Sequence, residues 1–456
     1  MLHYKKITSL ILLSLFISGC SVDNNGFEKY PEKKLAESYP VSNIYNINTK
    51  WWQDYNDPQL NSLIQKALNN NTDLAQTAIN VNLALYQANM LGADLVPTFS
   101  SSLSGNASKN LKEGGNSTTS VSGNVSVSYE LDLWKRLADS KDASVWNYKV
   151  SQEDLEEAKL ALINNVISSY FKLKYLNEYY NLTNDNLKNY QQLLSISDSK
   201  LKYGIISNLD VVQAQQSVAQ SQNTLNDINL QIKQTEQTLK NFLNYAPTNQ
   251  FIIDKTSLLD IKLQGVDINV PVSTIANRPD LKAEEYSLLS LFKDKTAQEK
   301  SIYPSITLSS AISSSGTKIN NSFSVPIGSV GVAINLPFLD WNHIKWNVKT
   351  SQANFEKQKY AFSGAITTAL NEIDTFYYTY QSSITTYKND ENMYKNAKKI
   401  TNYYKIRYDS GIADMSDYLN AIQSENNYKQ AILQAKYNLI VNENNIYKAM
   451  AGKYKI

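Results

Sequence analysis

Residues 135–201 contain neither proline nor glycine, and residues 341–408 contain no proline and a single glycine, Gly364. Both stretches are rich in Ala, Leu, Asn, Gln, Lys and Tyr. A helix of about 65 residues is about 100 Å long at 1.5 Å per residue, far beyond the usual globular helix. Such lengths imply a coiled coil or an extended helical array. Leu160, Ile163, Ile167, Tyr170, Phe171 and Leu173 follow helical spacing, but Asn and Ser rather than dense charge break the surrounding faces. Mixed, moderately polar faces suit helices that touch neighbours on two flanks, as in a tube.

Four further segments read as strands. In the clearest, Val121, Val125, Val127, Tyr129, Leu131 and Leu133 share one face and Ser, Asn, Glu and Asp fill the other, a period-2 alternation of membrane-spanning length. Val330, Val332, Ile334, Leu336 and Phe338 alternate with Gly331, Ala333 and Asn335 in the same way. Two weaker, serine-rich segments lie at about 97–109 and 304–316. Turn-like stretches, Glu113-Gly114-Gly115-Asn116 and Asn320-Asn321, separate the members of each pair. Beyond the N-terminal leader no run resembles a transmembrane helix, so a membrane crossing would need a β-barrel, the other structure that satisfies the backbone in lipid.

The punctuation repeats. Pro97 and Pro304, Trp134 and Trp341, Gly204 and Gly411, Asp73-Leu74 and Asp280-Leu281, Asp210 and Asp417, and Tyr170 and Tyr377 are each separated by 207 residues. The chain therefore reads as two tandem copies of helix, two strands, long helix, turn and second long helix. The expected division is a signal peptide at 1–19, an N-terminal linker at 20–57, a first repeat at 58–250, a connector at 251–270 and a second repeat at 271–456. The first repeat holds strands at about 97–109 and 120–133 and helices at about 135–201 and 208–244. The second holds strands at about 304–316 and 324–338 and helices at about 341–408 and 414–450.

The N-terminus carries Lys5 and Lys6, then a mostly apolar run from Ile7 to Ile17, too short to span a bilayer and typical of a cleaved signal. Ile17-Ser18-Gly19-Cys20 follows, and Cys20 is the sole cysteine of 456 residues. This sequence resembles the bacterial lipobox, which implies a diacylglycerol- and palmitate-bearing Cys20 as first mature residue; Ser21, rather than aspartate, implies sorting to the outer membrane. Composition excludes much else. Removal of 1–19 leaves His343 as the one histidine, so the usual His and Cys zinc ligands and a Ser-His-Asp arrangement lack parts. No P-loop, G-x-G-x-x-G or G-x-S-x-G is present, and a net charge of +2 gives no nucleic-acid surface. No cofactor, metal or enzyme activity is expected. A carboxylate-only glycosidase would need its two acids in a pocket, which long helices do not suggest.

The tandem repeat, the lipobox and the opening TKWWQDYNDPQLNSLIQKALNNNTDL resemble the TolC family of outer-membrane efflux channels, most closely its lipoprotein branch. Asn277-Arg278-Pro279-Asp280-Leu281, SYELDLWKR and NLPFLDW add to the likeness, which covers residues 20 to 456. Four strands cannot close a barrel whose smallest form has about eight; strand arithmetic allows a dimer or a trimer. The resemblance implies a homotrimer with a twelve-stranded barrel and a long periplasmic helical barrel, passively serving a tripartite efflux or type I secretion system with a periplasmic adaptor and an inner-membrane transporter, and contributing to multidrug resistance.

Gly204 and Gly411 are positioned to end helices, and Ser207 and Asp414 to cap the next ones, with Asp210 and Asp417 three residues on as an aspartate form of the capping box. The resemblance adds a periplasmic gate at these hairpins: Asp417 facing the pore and Tyr408 pairing toward Asp210. The sequence departs from the prototype at Ala413, in place of a linking arginine, and at Asn420, in place of a second ring aspartate. A different class, a lipid-anchored envelope spacer without a pore, would have no need of strand pairs at equivalent places in both repeats.

Overall fold

A computed structural model describes residues 46–109, 111, 117–249, 253, 256–266, 272–317 and 324–455. The signal segment 1–19, Cys20 and the turn stretches 113–116 and 320–321 lie outside the described residues. Residues Ile47–Lys455 form one compact unit.

Seven α-helices and a four-stranded sheet carry the fold. Helices α1 (Pro58–Asn70) and α2 (Thr72–Ala93) precede strands β1 (Thr98–Ser108) and β2 (Thr118–Leu131). Helices α3 (Arg136–Lys202) and α4 (Asn208–Phe242) follow. The second half repeats the order with α5 (Pro279–Lys300), β3 (Ser305–Gly316), β4 (Ile327–Asn335), α6 (Trp341–Asp409) and α7 (Met415–Ala449). The fourth strand is shorter than the alternation predicts, 324–338. Pro326 precedes it, and Pro337, which has no N–H to give a ladder, opens a 3-10 turn at Pro337–Asp340.

Polar side chains fix the helix starts. Asp57 accepts the N–H groups of Gln59 and Leu60 at 3.0 Å each, with Pro58 at the first helical position. The same carboxylate receives the Tyr170 hydroxyl at 2.6 Å and lies 3.7 Å from buried Lys174, which ties α1 to the middle of α3. Asp132 accepts from Leu137 and Ala138 at 3.0 and 2.8 Å, and Arg136 reaches back to Glu130 at 2.7 Å, joining β2 to α3. Helix α5 lies beside the first turns of α3: Ser290 donates to the Ala143 carbonyl, and Lys293 bridges Asp139 and Asp142.

The main core gathers Trp51, Leu60, Ile64, Val166, Ile167, Tyr170, Phe171, Leu239, Leu243 and Ile440. Within it, Glu443 of α7 is fully buried (0% exposed). It accepts the Tyr55 hydroxyl at 2.7 Å and the Gly265 N–H at 2.6 Å, while neighbouring Asn444 accepts from Trp51 at 2.9 Å and donates to Tyr55 at 2.8 Å. Burial drives the Glu443 carboxyl above its ordinary value, against the lowering effect of its hydrogen bonds. Burial and the Glu443 carboxylate together push the Tyr380 hydroxyl up to about 12 and Tyr447 higher still. By contrast α6 buries little of its length: Ser351, Ala369, Tyr380 and Ala397 are its buried residues. Its flanks leave Tyr360 and Tyr378 exposed, and α2 leaves Ile79, Leu83, Tyr86 and Met90 exposed along one stripe.

Candidate functional site

The sheet is antiparallel in the order β1-β2-β3-β4. Its register pairs Phe99 with Val127, Val127 with Ser310 and Ser310 with Val330; the next row on the same face pairs Ser101, Val125, Ile312 and Gly328. Because side chains alternate at period 2, this alignment collects Phe99, Leu103, Val125, Val127, Leu308, Ile312, Val330, Val332 and Ile334 on one face. Val330 is 86% exposed and Phe99 69%. A one-residue slip at any pairing would scatter these side chains over both faces. Serines on the apolar face turn inward to backbone carbonyls, Ser310 to Ser329 at 3.2 Å and Ser314 to Val325 at 3.2 Å, which lowers the cost of placing a hydroxyl in an apolar medium. The opposite face is polar, with Ser100 and Ser126 hydroxyls 2.7 Å apart and Ser104 and Ser122 2.8 Å apart.

At the far ends of the long helices both hairpins turn in the same way. Gly204 (φ +70°) follows α3, with Gly204 N–H bonded to Leu201 O and Ile205 N–H to Lys200 O, each at 2.9 Å. Gly411 (φ +71°) follows α6, with Gly411 to Tyr408 at 3.0 Å and Ile412 to Arg407 at 2.8 Å. This is a Schellman ending, whose left-handed residue favours glycine. The hairpins differ in their next step. In the first, the Asp210 carboxylate accepts both the Ser207 N–H at 3.1 Å and its hydroxyl at 2.9 Å. In the second, Asp414 occupies the N-cap position in extended backbone but, among the described residues, makes no side-chain cap hydrogen bond, and Asp417 does not reach back to it. The expected Asp414 and Asp417 capping box is therefore absent. Asp414, Asp417 and Asn420 are all exposed in the chain.

The expected Tyr408–Asp210 pair is also corrected. Asp210 is held by Ser207, three residues away, whereas Tyr408 accepts a hydrogen bond from Lys200 Nζ at 3.2 Å. The ammonium lies 4.4 Å from the ring centre, and Tyr418 stacks on the same ring at 5.6 Å. Beneath them Tyr190, Leu193, Met415, Leu419 and Ile422 form a small separate core at the tip. Burial and the carboxylates of Asp409 and Glu425 raise the Tyr418 hydroxyl above its ordinary value. Sequence reasoning missed Lys200 and Tyr418; a basic residue in a last helical turn reads as a dipole contact. Arg407, a further cation near the tip, bonds to Tyr403 at 3.1 Å within its own helix.

Among the described residues no helix is long and apolar enough to cross a membrane, and no group of three or more His, Cys, Asp or Glu is arranged to hold a metal ion. An apolar sheet face joined to a long helical array is a class of fold shared with CusC, a protein described with transmembrane channel formation, which superposes with a TM-score of 0.81 at 22% identity, over 90% of this chain and 96% of its own. The chain belongs to the outer membrane efflux protein family, whose model matches residues 63–245 and 270–452. Toxin and drug export protein A of Aggregatibacter actinomycetemcomitans is 42% identical over 100% of both chains. The probable outer membrane lipoprotein SilC of Salmonella typhimurium is 27% identical over 91% of this chain and 90% of its own.

Proposed function

We propose that this protein is the outer-membrane channel of a tripartite efflux system, or of a type I secretion system, and acts without enzymic chemistry. The observation that carries the reading is the sheet register, which gathers the apolar side chains on one face and leaves β1 and β4 as the two outer strands. Four strands per chain become a closed barrel when three copies join edge to edge as twelve strands, and the exposed flanks of α2 and α6 then find partners in neighbouring copies. The two family matches begin 207 residues apart, in keeping with tandem repeats at 58–250 and 271–456 separated by a connector at 251–270. With no nucleotide site in the sequence, the driving energy comes from an inner-membrane transporter, coupled through a periplasmic adaptor.

In this reading Cys20 carries the lipid after removal of 1–19, and 20–57 links the anchor to the channel; the relative named as an outer membrane lipoprotein supports it. The periplasmic gate comprises Asp417, Asp414 and Asn420 at the second hairpin, with Tyr408 and the Asp210-capped first hairpin holding the tips together around the turns at Gly204 and Gly411. Three exposed Asp417 carboxylates converging on an axis repel one another and attract cations.

The reading is tested by purifying the full chain, measuring the mass of the assembly and recording currents in planar bilayers. Trimers that conduct are expected. A stable monomer that leaves the bilayer silent overturns the proposal.

A further inference from the structure

We infer that the lipid-facing side of the sheet carries a binding site for an acyl chain of a phosphorylated, saturated-chain glycolipid of the outer leaflet. The inference rests on the channel reading and deepens it by naming a lipid that the strand section recognises.

The site is a cavity of about 370 Å³ walled by Leu103, Val125, Ile312 and Pro326, with Gly123 and Ser314 at its base. That volume falls within the roughly 300–1,000 Å³ of ordinary ligand sites. Its wall and base side chains come from two neighbouring rows of the apolar face, Ser101-Val125-Ile312 and Leu103-Gly123-Ser314. The row between them, Ser102-Asn124-Ser313, turns its side chains to the opposite face by alternation and gives only backbone to the floor. The cavity therefore opens on the apolar side, and one chain supplies all of it. Leu103 is 72% exposed and Ile312 59%, so the walls are free to meet a ligand. Ser314 is buried and spends its hydroxyl on the Val325 carbonyl at 3.2 Å, which leaves the base apolar in effect. Lipid tails are as apolar as these walls, so recognition in the bilayer rests on close packing. A straight chain seated between Leu103 and Ile312 gains dispersion contacts that a kinked chain loses across the gap.

Height and charge choose the lipid. Gly123 lies eight positions from Leu131, the helical end of β2, or about 27 Å along the strand. With strands tilted by about 40°, this places it in the outer half of an apolar band about 25 Å tall. Exposed Lys109 follows the end of β1, six positions beyond Leu103 and about 20 Å further along that strand. Among the described residues of that half of the sheet there is no Asp or Glu. An anionic headgroup near Lys109 with its chain running down to Leu103 matches both features.

The test is lipid retention by the purified full-length assembly, counted by native mass spectrometry after incubation with equal amounts of hexa-acylated bisphosphoryl lipid A and dipalmitoylphosphatidylglycerol. Wild type is expected to retain lipid A several-fold better. Gly123→Leu, which fills the base, should lose most of that preference. Leu103→Ala/Ile312→Ala, which removes two exposed walls and keeps the ladder, should lower it too. Lys109→Gln should weaken retention of bisphosphoryl lipid A and leave that of dephosphorylated lipid A unchanged. Val330→Leu, on the same face outside the cavity, should match wild type. Equal retention of the two probes by conducting wild-type assemblies overturns the inference and leaves the channel reading in place. So does full retention by Leu103→Ala/Ile312→Ala, which decides the matter if Gly123→Leu does not assemble. Wild-type protein that forms no pore overturns the channel reading, and the inference with it.

Discussion

The ammonium of Lys200 lies 3.2 Å from the Tyr408 hydroxyl and 4.4 Å from the centre of its ring, joining the last turn of α3 to the last turn of α6 across 208 positions of sequence. The two hairpins of the chain are thus held together near their tips by a cation from one repeat and an aromatic ring from the other. Lys200→Met and Tyr408→Leu should each raise the open fraction of reconstituted channels about five-fold, the scale of a partly exposed cation–π contact. The double variant should exceed neither single one by much, and Lys200→Arg should keep the tip closed. Single-channel recordings check this; fully additive effects would mean that the two residues act separately.

Asp417→Asn and Asp414→Ala separate pore from cap. Because Asp414 makes no side-chain cap bond, Asp414→Ala should cost little stability, whereas Asp210→Ala should cost about 1 kcal/mol by releasing the Ser207 N–H. Asp417→Asn should weaken cation selectivity and block by a trivalent cation. Thermal melts and bilayer currents measure the two outcomes, and unchanged selectivity would remove Asp417 from the gate.

Much of this architecture can be read from the residues alone. The long helices follow from the lack of breakers over 135–201 and 341–408, and the two turns from glycines at Gly204 and Gly411 that can take positive φ. Strand β2 follows from strict alternation. The tip contacts cannot be read this way. Tyr408 looks free to meet Asp210 until local geometry gives that carboxylate to Ser207, and nothing in the spacing pairs Lys200 with a ring 208 positions later. Glu443 is similarly hidden, since an acidic residue in a helix rich in Asn and Lys reads as solvent-facing. Only the convergence of Tyr55, Gly265 and α7 makes its burial tolerable.

The sheet faces should respond unequally to charge. Val127→Arg or Val332→Arg should disfavour insertion by about 2–4 kcal/mol near the bilayer midplane, while Ser126→Asn on the opposite face should be mild. Urea-dependent refolding into vesicles supplies the comparison. Equal tolerance on both faces would mean that the apolar face does not meet lipid.

Glu443 sets a pH dependence. Its folded-state carboxyl is raised by burial, so the folded chain binds its proton more tightly than the unfolded chain does. Stability is therefore fully present below the ordinary carboxylate range and declines as pH rises through the raised folded value. Melting temperatures across mildly acidic to neutral pH should fall in the wild type and stay flatter in Glu443→Gln. Glu443→Ala should cost about 3 kcal/mol at the acidic end by leaving the Tyr55 hydroxyl and the Gly265 N–H without their acceptor, and less as pH rises. Parallel wild-type and Glu443→Gln profiles would exclude this residue as the source.

Anchoring at Cys20 is checked by metabolic labelling. Cys20→Ser should lose incorporated palmitate while its channels still conduct after reconstitution. An unlabelled wild type would show that the cysteine carries no lipid.

In the proposed assembly, each copy starts with the outer edges of Thr98–Ser108 and Ile327–Asn335 open. Unpaired backbone groups cost several kcal/mol each in hydrocarbon, so a lone chain has no stable resting state within the bilayer. In water the same edges are templates for mispairing. Insertion becomes a collective event, steep in copy number: halving expression should lower the yield of finished channels by more than half. A chain with one damaged edge strand should behave as a dominant poison, since every ring it joins is left with a seam.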